Sequence, residues 1–68
     1  MDNNVYKLTD VVGTSQVSID DAIRHAIERT RESIRNVRWF EVLATRGFIA
    51  LDGTIQYQVT MKIGFTLE

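Results

Sequence analysis

No cysteine and no proline occur in these 68 residues, and histidine and tryptophan occur once each. Without cysteine, disulfides and thiolate metal sites are excluded, and a lone histidine excludes a His-rich metal site. A core of this size supplies only ~3–5 kcal/mol. Small domains without a disulfide or metal are commonly held together by association with copies of themselves. Self-association is therefore the first expectation. Also missing is any apolar run near the ~20 residues that a membrane-spanning helix needs. No segment is low in complexity and none reads as a linker, so a single domain over residues 1–68 is expected. Charge is nearly balanced, with eight Lys and Arg against nine Asp and Glu. The lack of a basic excess argues against nucleic acid as a partner. Met1-Asp2-Asn3-Asn4 is polar and acidic rather than the start of an apolar signal core, so a soluble cytoplasmic protein with no membrane partner is the expectation.

What is present is a regular alternation of patterns. Residues 5–12 are rich in β-branched and aromatic residues and predict a strand, with Tyr6, Leu8 and Val12 on one face and Val5, Lys7, Thr9 and Val11 on the other. Gly13-Thr14-Ser15 is expected to end it as a strand-to-helix turn, since no full phosphate-loop pattern follows. Ser18-Ile19-Asp20-Asp21 has the form of a capping box, and two acids in a first turn suit the helix dipole. From there Ile19, Ile23, Ala26, Ile27, Thr30 and Ile34 recur at helical spacing and predict one apolar stripe. Asp20, Arg24, Glu28, Arg31, Glu32 and Arg35 form the polar face, with Asp20–Arg24 and Arg24–Glu28 as expected pairs four residues apart. Arginine accumulates at the helix end and beyond (Arg29, Arg31, Arg35, Arg38), suited to acidic groups of a neighbouring copy or to ligand phosphates. His25 follows Asp21 by four residues and reads as a surface or interface residue.

Residues 37–51 predict the longest strand. Plain alternation puts Phe40, Val42, Ala44 and Phe48 on one face and Trp39, Glu41, Leu43 and Thr45 on the other, with a bend or bulge expected at Gly47. Asp52-Gly53 signals a hairpin. In residues 54–67, Ile55, Tyr57, Val59, Met61, Ile63, Phe65 and Leu67 predict the core face. The fold class is thus α+β, in the order β-α-β-β, a three-stranded antiparallel sheet around one helix. One helix covers one sheet face, so the face with Trp39 needs a partner from outside the protomer. Trp39 and Glu41 with amides, hydroxyls and a lysine suit a flat molecule that is stacked and hydrogen-bonded at its edge.

The segments Val11-Val12-Gly13-Thr14-Ser15, Trp39-Phe40-Glu41-Val42, Arg46-Gly47 and Tyr57-Gln58-Val59, with Gly64-Phe65 and Leu67-Glu68, together resemble the dodecins, small flavin-binding proteins, over nearly the whole chain. The resemblance implies a hollow homododecamer built of trimers, with flavins bound in pairs between subunits related by a two-fold axis. It implies that Trp39 stacks on the flavin ring and that Gln58 hydrogen-bonds its pyrimidine edge. Arg46 matches the bacterial branch, which favours FMN over smaller flavins such as riboflavin. Arg38 and Lys7 fall near the implied pocket, within reach of the ribityl or phosphate group. A coenzyme A site is implied at Arg29, Ser33 and Arg35. One departure is Thr66, where bacterial members often carry a basic residue; the resemblance then implies a looser hold on FMN or admission of other flavins.

Close Trp–flavin stacking quenches the excited flavin, which suits storage better than catalysis. The competing readings are a structural or protein-interaction homo-oligomer in which Trp39 is an interface anchor, and an enzyme. The enzyme reading lacks an acid–base or nucleophile constellation in the sequence.

Overall fold

The computed structural model describes residues 4–67. It contains β1 (Tyr6–Ser15), α1 (Ile19–Arg31), β2 (Val37–Ile49) and β3 (Ile55–Thr66). The strands form one antiparallel sheet in the order β1-β3-β2, so the last strand lies in the middle. The expected β-α-β-β topology is the one observed.

Gly13-Thr14-Ser15 does not break the first strand: β1 continues through it, with Gly13 opposite Val59 and Ser15 opposite Tyr57. Glycine is required there by close approach. A Cβ on Gly13 would collide with the Ala22 carbonyl oxygen and lie 2.9 Å from the Ala26 Cβ. The chain turns after Ser15, whose hydroxyl donates to Asp21 Oδ2 (2.6 Å) and accepts from the Val17 amide (2.9 Å). Ser18 caps the helix as expected, its Oγ accepting the Asp21 amide at 3.0 Å.

The helix meets the sheet through its small residues. Ala22, Ala26 and Thr30 are buried, while Ile19, Ile23 and Ile27 are half-buried along the flanks. Ala22, absent from the predicted stripe, faces Gly13 because only small residues let helix and strand come this close. The core is Ala22, Ala26, Val59, Met61 and Ile63. Of the predicted β3 core face, the centre is buried, but Ile55 and Leu67 at the ends are exposed. Neither Asp20–Arg24 nor Arg24–Glu28 closes within 4.0 Å; among the described residues the helix pairs are Asp21–His25 (3.4 Å) and Arg29–Glu32 (3.6 Å).

After α1, Asn36 adopts φ 63°, a left-handed conformation that asparagine tolerates. Its carbonyl accepts the Thr66 amide at 3.1 Å, tying the start of β2 to the end of β3. β2 carries two register shifts, at Arg38 and at Leu43. The bulge expected at Gly47 is not there: Gly47 pairs regularly with Tyr57. The shift at Leu43 corrects the predicted faces of β2. Phe40 and Val42 pair with Ile63 and Met61 on the helix side, whereas Ala44, Arg46 and Phe48 pair with Thr60, Gln58 and Gln56 on the open side with Trp39 and Glu41. The predicted set Phe40, Val42, Ala44, Phe48 is therefore split between faces, because one extra residue inverts everything beyond it.

Candidate functional site

Directly paired residues of a ladder project to the same face, so the register reads out the open face row by row. Leu8, Gly64 and Trp39 form the first row, and Asp10, Lys62 and Glu41 the second. Val12, Thr60 and Ala44 form the third, and Thr14, Gln58 and Arg46 the fourth. One end of the face is apolar and aromatic, the middle is charged, and the other end offers amide and guanidinium groups.

Trp39 lies flat across Gly64. A Cβ at that glycine would collide with the six-membered ring of the indole, so β3 carries no side chain there in order to seat it. Tyr6 closes one edge, its ring 5.9 Å from Trp39 at 69°. Trp39 is nevertheless 38% exposed, and Leu8 in the same row is exposed as well. An uncovered aromatic and apolar patch of this kind marks a binding surface.

Arg46 and Gln58 are joined, with Arg46 Nη1 donating to Gln58 Oε1 at 3.0 Å and Nη2 donating to Thr60 Oγ1 at 2.9 Å. The guanidinium is fixed above the sheet, and the Gln58 NH2 remains available as a donor. Gln58 stands six residues along β3 from Gly64. At ~3.3 Å per residue this is about 20 Å from the seat of Trp39, more than one three-ring ligand can bridge. The structure thus gathers Arg46, Gln58 and Thr60, and sets Trp39 apart from them on the same face.

Between the two ends, Lys62 is drawn to Asp10 (3.1 Å) and away from Glu41. Lys62 is the lysine expected beside Glu41 on this face, whereas Tyr6, Leu8 and Gly64 were not among the predicted site residues. The alternation of β1 and β3 carries their parity, but only the strand order brings β1 and β2 to either side of β3.

The other predicted residues lie elsewhere. Lys7 pairs with Phe65, on the helix side of the register. Arg38 is the extra residue of the first bulge and lines a groove of about 570 Å³ between α1 and β2, together with Arg31 and Arg35. Ser33 and Arg35 share a cleft of about 430 Å³ with Thr66. Arg29, paired with Glu32, lines a different one beside Thr14 and His25. Thr66 is buried, and its Oγ1 has no hydrogen-bond partner among the described residues.

Ser15, Asp21 and His25 stand in line, but the Ser15 hydroxyl donates to Asp21 rather than to the imidazole, so it is not aimed at a base. Among the described residues no three of His, Cys, Asp or Glu cluster in a way that would hold a metal ion, and no helix is long and apolar enough to cross a membrane.

The family model described as Dodecin matches residues 5–68. The dodecin of Thermus thermophilus is 44% identical over 94% of this chain and 93% of its own length. The calcium dodecin of Mycobacterium tuberculosis is 30% identical over 96% and 92%. The solved dodecin from Streptomyces davaonensis superposes with a TM-score of 0.91 at 43% identity, covering 98% of each chain.

Proposed function

The chain belongs to the dodecin family, and we propose that it stores flavin, holding FMN or riboflavin in pairs between the Trp39 side chains of two copies. The observation that carries this reading is the separation, on one open face, of a seated indole from a fixed amide and guanidinium. One protomer offers a stacking platform at one place and an edge-reading group at another. A two-fold operation that opposes two such faces sets Trp39 of one copy against Gln58 and Arg46 of the next, and does so twice. Each ring would then stack on an indole, an interaction that contributes ~0.5–1.5 kcal/mol beyond the area it buries.

Gln58 supplies a donor and an acceptor to the alternating imide edge of the ring. Arg46 and Arg38 meet the ribityl chain or phosphate. Lys7 does so from a neighbouring copy, since in its own protomer it falls on the helix side. Coenzyme A is a second ligand in this reading, at Arg29, Ser33 and Arg35. Because Arg29 lines a different cleft from the other two, that site also draws on more than one copy. The assembly is a hollow homododecamer of trimers in the cytoplasm. Its work is binding and quenching rather than turnover. Thr66 brings no cation to the pocket, which favours acceptance of riboflavin beside FMN.

The test is a fluorescence titration of FMN and riboflavin with wild-type protein and with Trp39→Ala. Wild type is expected to quench both flavins, and the variant to bind up to about tenfold more weakly, the upper end of what one such stack contributes. Equal quenching by both proteins would sink the stacking role. A wild-type protein that ignores added flavin would leave the structural homo-oligomer as the reading.

A further inference from the structure

We propose that Tyr6 is the electron donor that refills Trp39 when the indole is oxidised, so that the oxidised centre moves from the stacking platform to the rim of the open face. Trp39 is the one tryptophan of the chain, and there is no cysteine to take the charge from it. The indole lies on the bare backbone of Gly64, which has no group to give up an electron. Among the described residues the one aromatic ring against it is Tyr6, with centroids 5.9 Å apart at 69°. At that separation an edge-to-face pair is in direct contact, and an electron has no gap to cross. Tyr6 pairs with Thr66 at the end of the ladder and is 44% exposed, so its phenol opens to water. The other tyrosine, Tyr57, pairs with Ser15 and Gly47 on the helix side of the sheet. It stands seven residues along β3 from Gly64, about 23 Å at ~3.3 Å per residue.

The chemistry sets the direction. At neutral pH a phenol that loses its proton with the electron is oxidised more readily than an indole. Under the flavin reading, on which this role rests, the oxidant is the photoexcited ring stacked on Trp39. Trp39 gives it one electron and becomes a radical cation. Tyr6 passes one electron to that cation and its O–H proton to water, which restores the indole and leaves a neutral tyrosyl radical. The circuit closes when the electron returns from the ring to Tyr6, whose oxygen regains a proton from water. Nothing is consumed. The indole is ready for a second cycle, and the radical lies at an exposed edge rather than inside the stack.

The test is pulse radiolysis of the ligand-free full chain with azide radical, which oxidises indole in preference to phenol. In wild type the visible band of the indolyl radical is expected to decay as the near-ultraviolet band of the tyrosyl radical rises, first order and at a rate independent of protein concentration. Tyr6→Phe keeps a ring against Trp39 and removes only the hydroxyl. In that variant the delayed tyrosyl rise is expected to be lost and the indolyl band to persist. Tyr57→Phe is expected to behave as wild type. A wild-type indolyl band that decays only by encounter of two radicals would overturn the proposal. So would a tyrosyl rise that survives in Tyr6→Phe, or one lost in Tyr57→Phe. No flavin is present in this measurement. A relay seen here in a protein that leaves added flavin fluorescent fails the flavin reading alone, and quenched flavin without the relay fails the electron-donor role alone.

Discussion

At the scale of single residues, two glycines matter for the space they leave. Gly13 lets the helix close onto β1 at Ala22, and Gly64 lets the indole of Trp39 lie on the sheet. Gly64→Ala puts a methyl group under the six-membered ring. The ring must lift, and overpacking of this kind costs about 1–3 kcal/mol. The variant is expected to melt lower than wild type and to shift the intrinsic Trp emission to the red; unchanged emission would mean that the ring does not rest on Gly64. At the hairpin tip, the amide and hydroxyl of Thr54 hold the Asp52 carboxyl below its ordinary range. A depressed carboxyl stabilises the fold above the ordinary carboxylate range, and that contribution is lost as pH falls through the lowered value. The Thr54 amide is therefore expected to lose its hydrogen-bonded chemical shift only at acid pH below the usual Asp range. Loss near neutrality would contradict the contact.

Among the elements, β2 is where sequence reading and structure part most. Arg46 reaches the face of Trp39 because Leu43 is an extra residue opposite the Val42–Ala44 step. Removing Leu43 would close the ladder with Val42 on Met61, Ala44 on Thr60 and Arg46 still on Gln58. Deletion of Leu43 is thus expected to preserve the Arg46–Gln58 pairing and the ratio of FMN to riboflavin affinity. An altered ratio would show that the bend at the bulge, rather than facing alone, positions Arg46. The helix illustrates the opposite outcome. Its Ser18 cap and its stripe from Ile19 to Thr30 were legible locally; Ile34 falls beyond the helix end, the expected Asp20–Arg24 and Arg24–Glu28 pairs do not close, and Ala22 was missed because a small residue is a weak apolar signal until something small lies opposite it.

Among the described residues five apolar side chains are buried in the core and a far larger set is exposed, from Tyr6, Leu8 and Val12 on the open face to Ile49 and Leu51 at the tip. A chain so constituted gains stability from its own copies by mass action. Its melting temperature is expected to rise with protein concentration over a hundredfold range, measured by calorimetry without ligand. A melting temperature independent of concentration would remove self-association as the staple of this fold.

The sequence by itself determined the element order, the helix cap, the hairpin turn and the need of Trp39's face for an outside partner. These rest on local spacing and on counting one helix against two sheet faces. It could not determine where β2 bulges, since a single extra residue leaves no local mark yet inverts the parity of all that follows. Nor could it reveal that Trp39 and Gln58 stand about 20 Å apart on one face, at ~3.3 Å per residue along β3. That depends on which residues oppose each other across three strands, and long-range pairing is fixed by packing rather than by pattern. The tertiary structure decided both, because it alone sets which residues of β2 and β1 lie opposite each residue of β3.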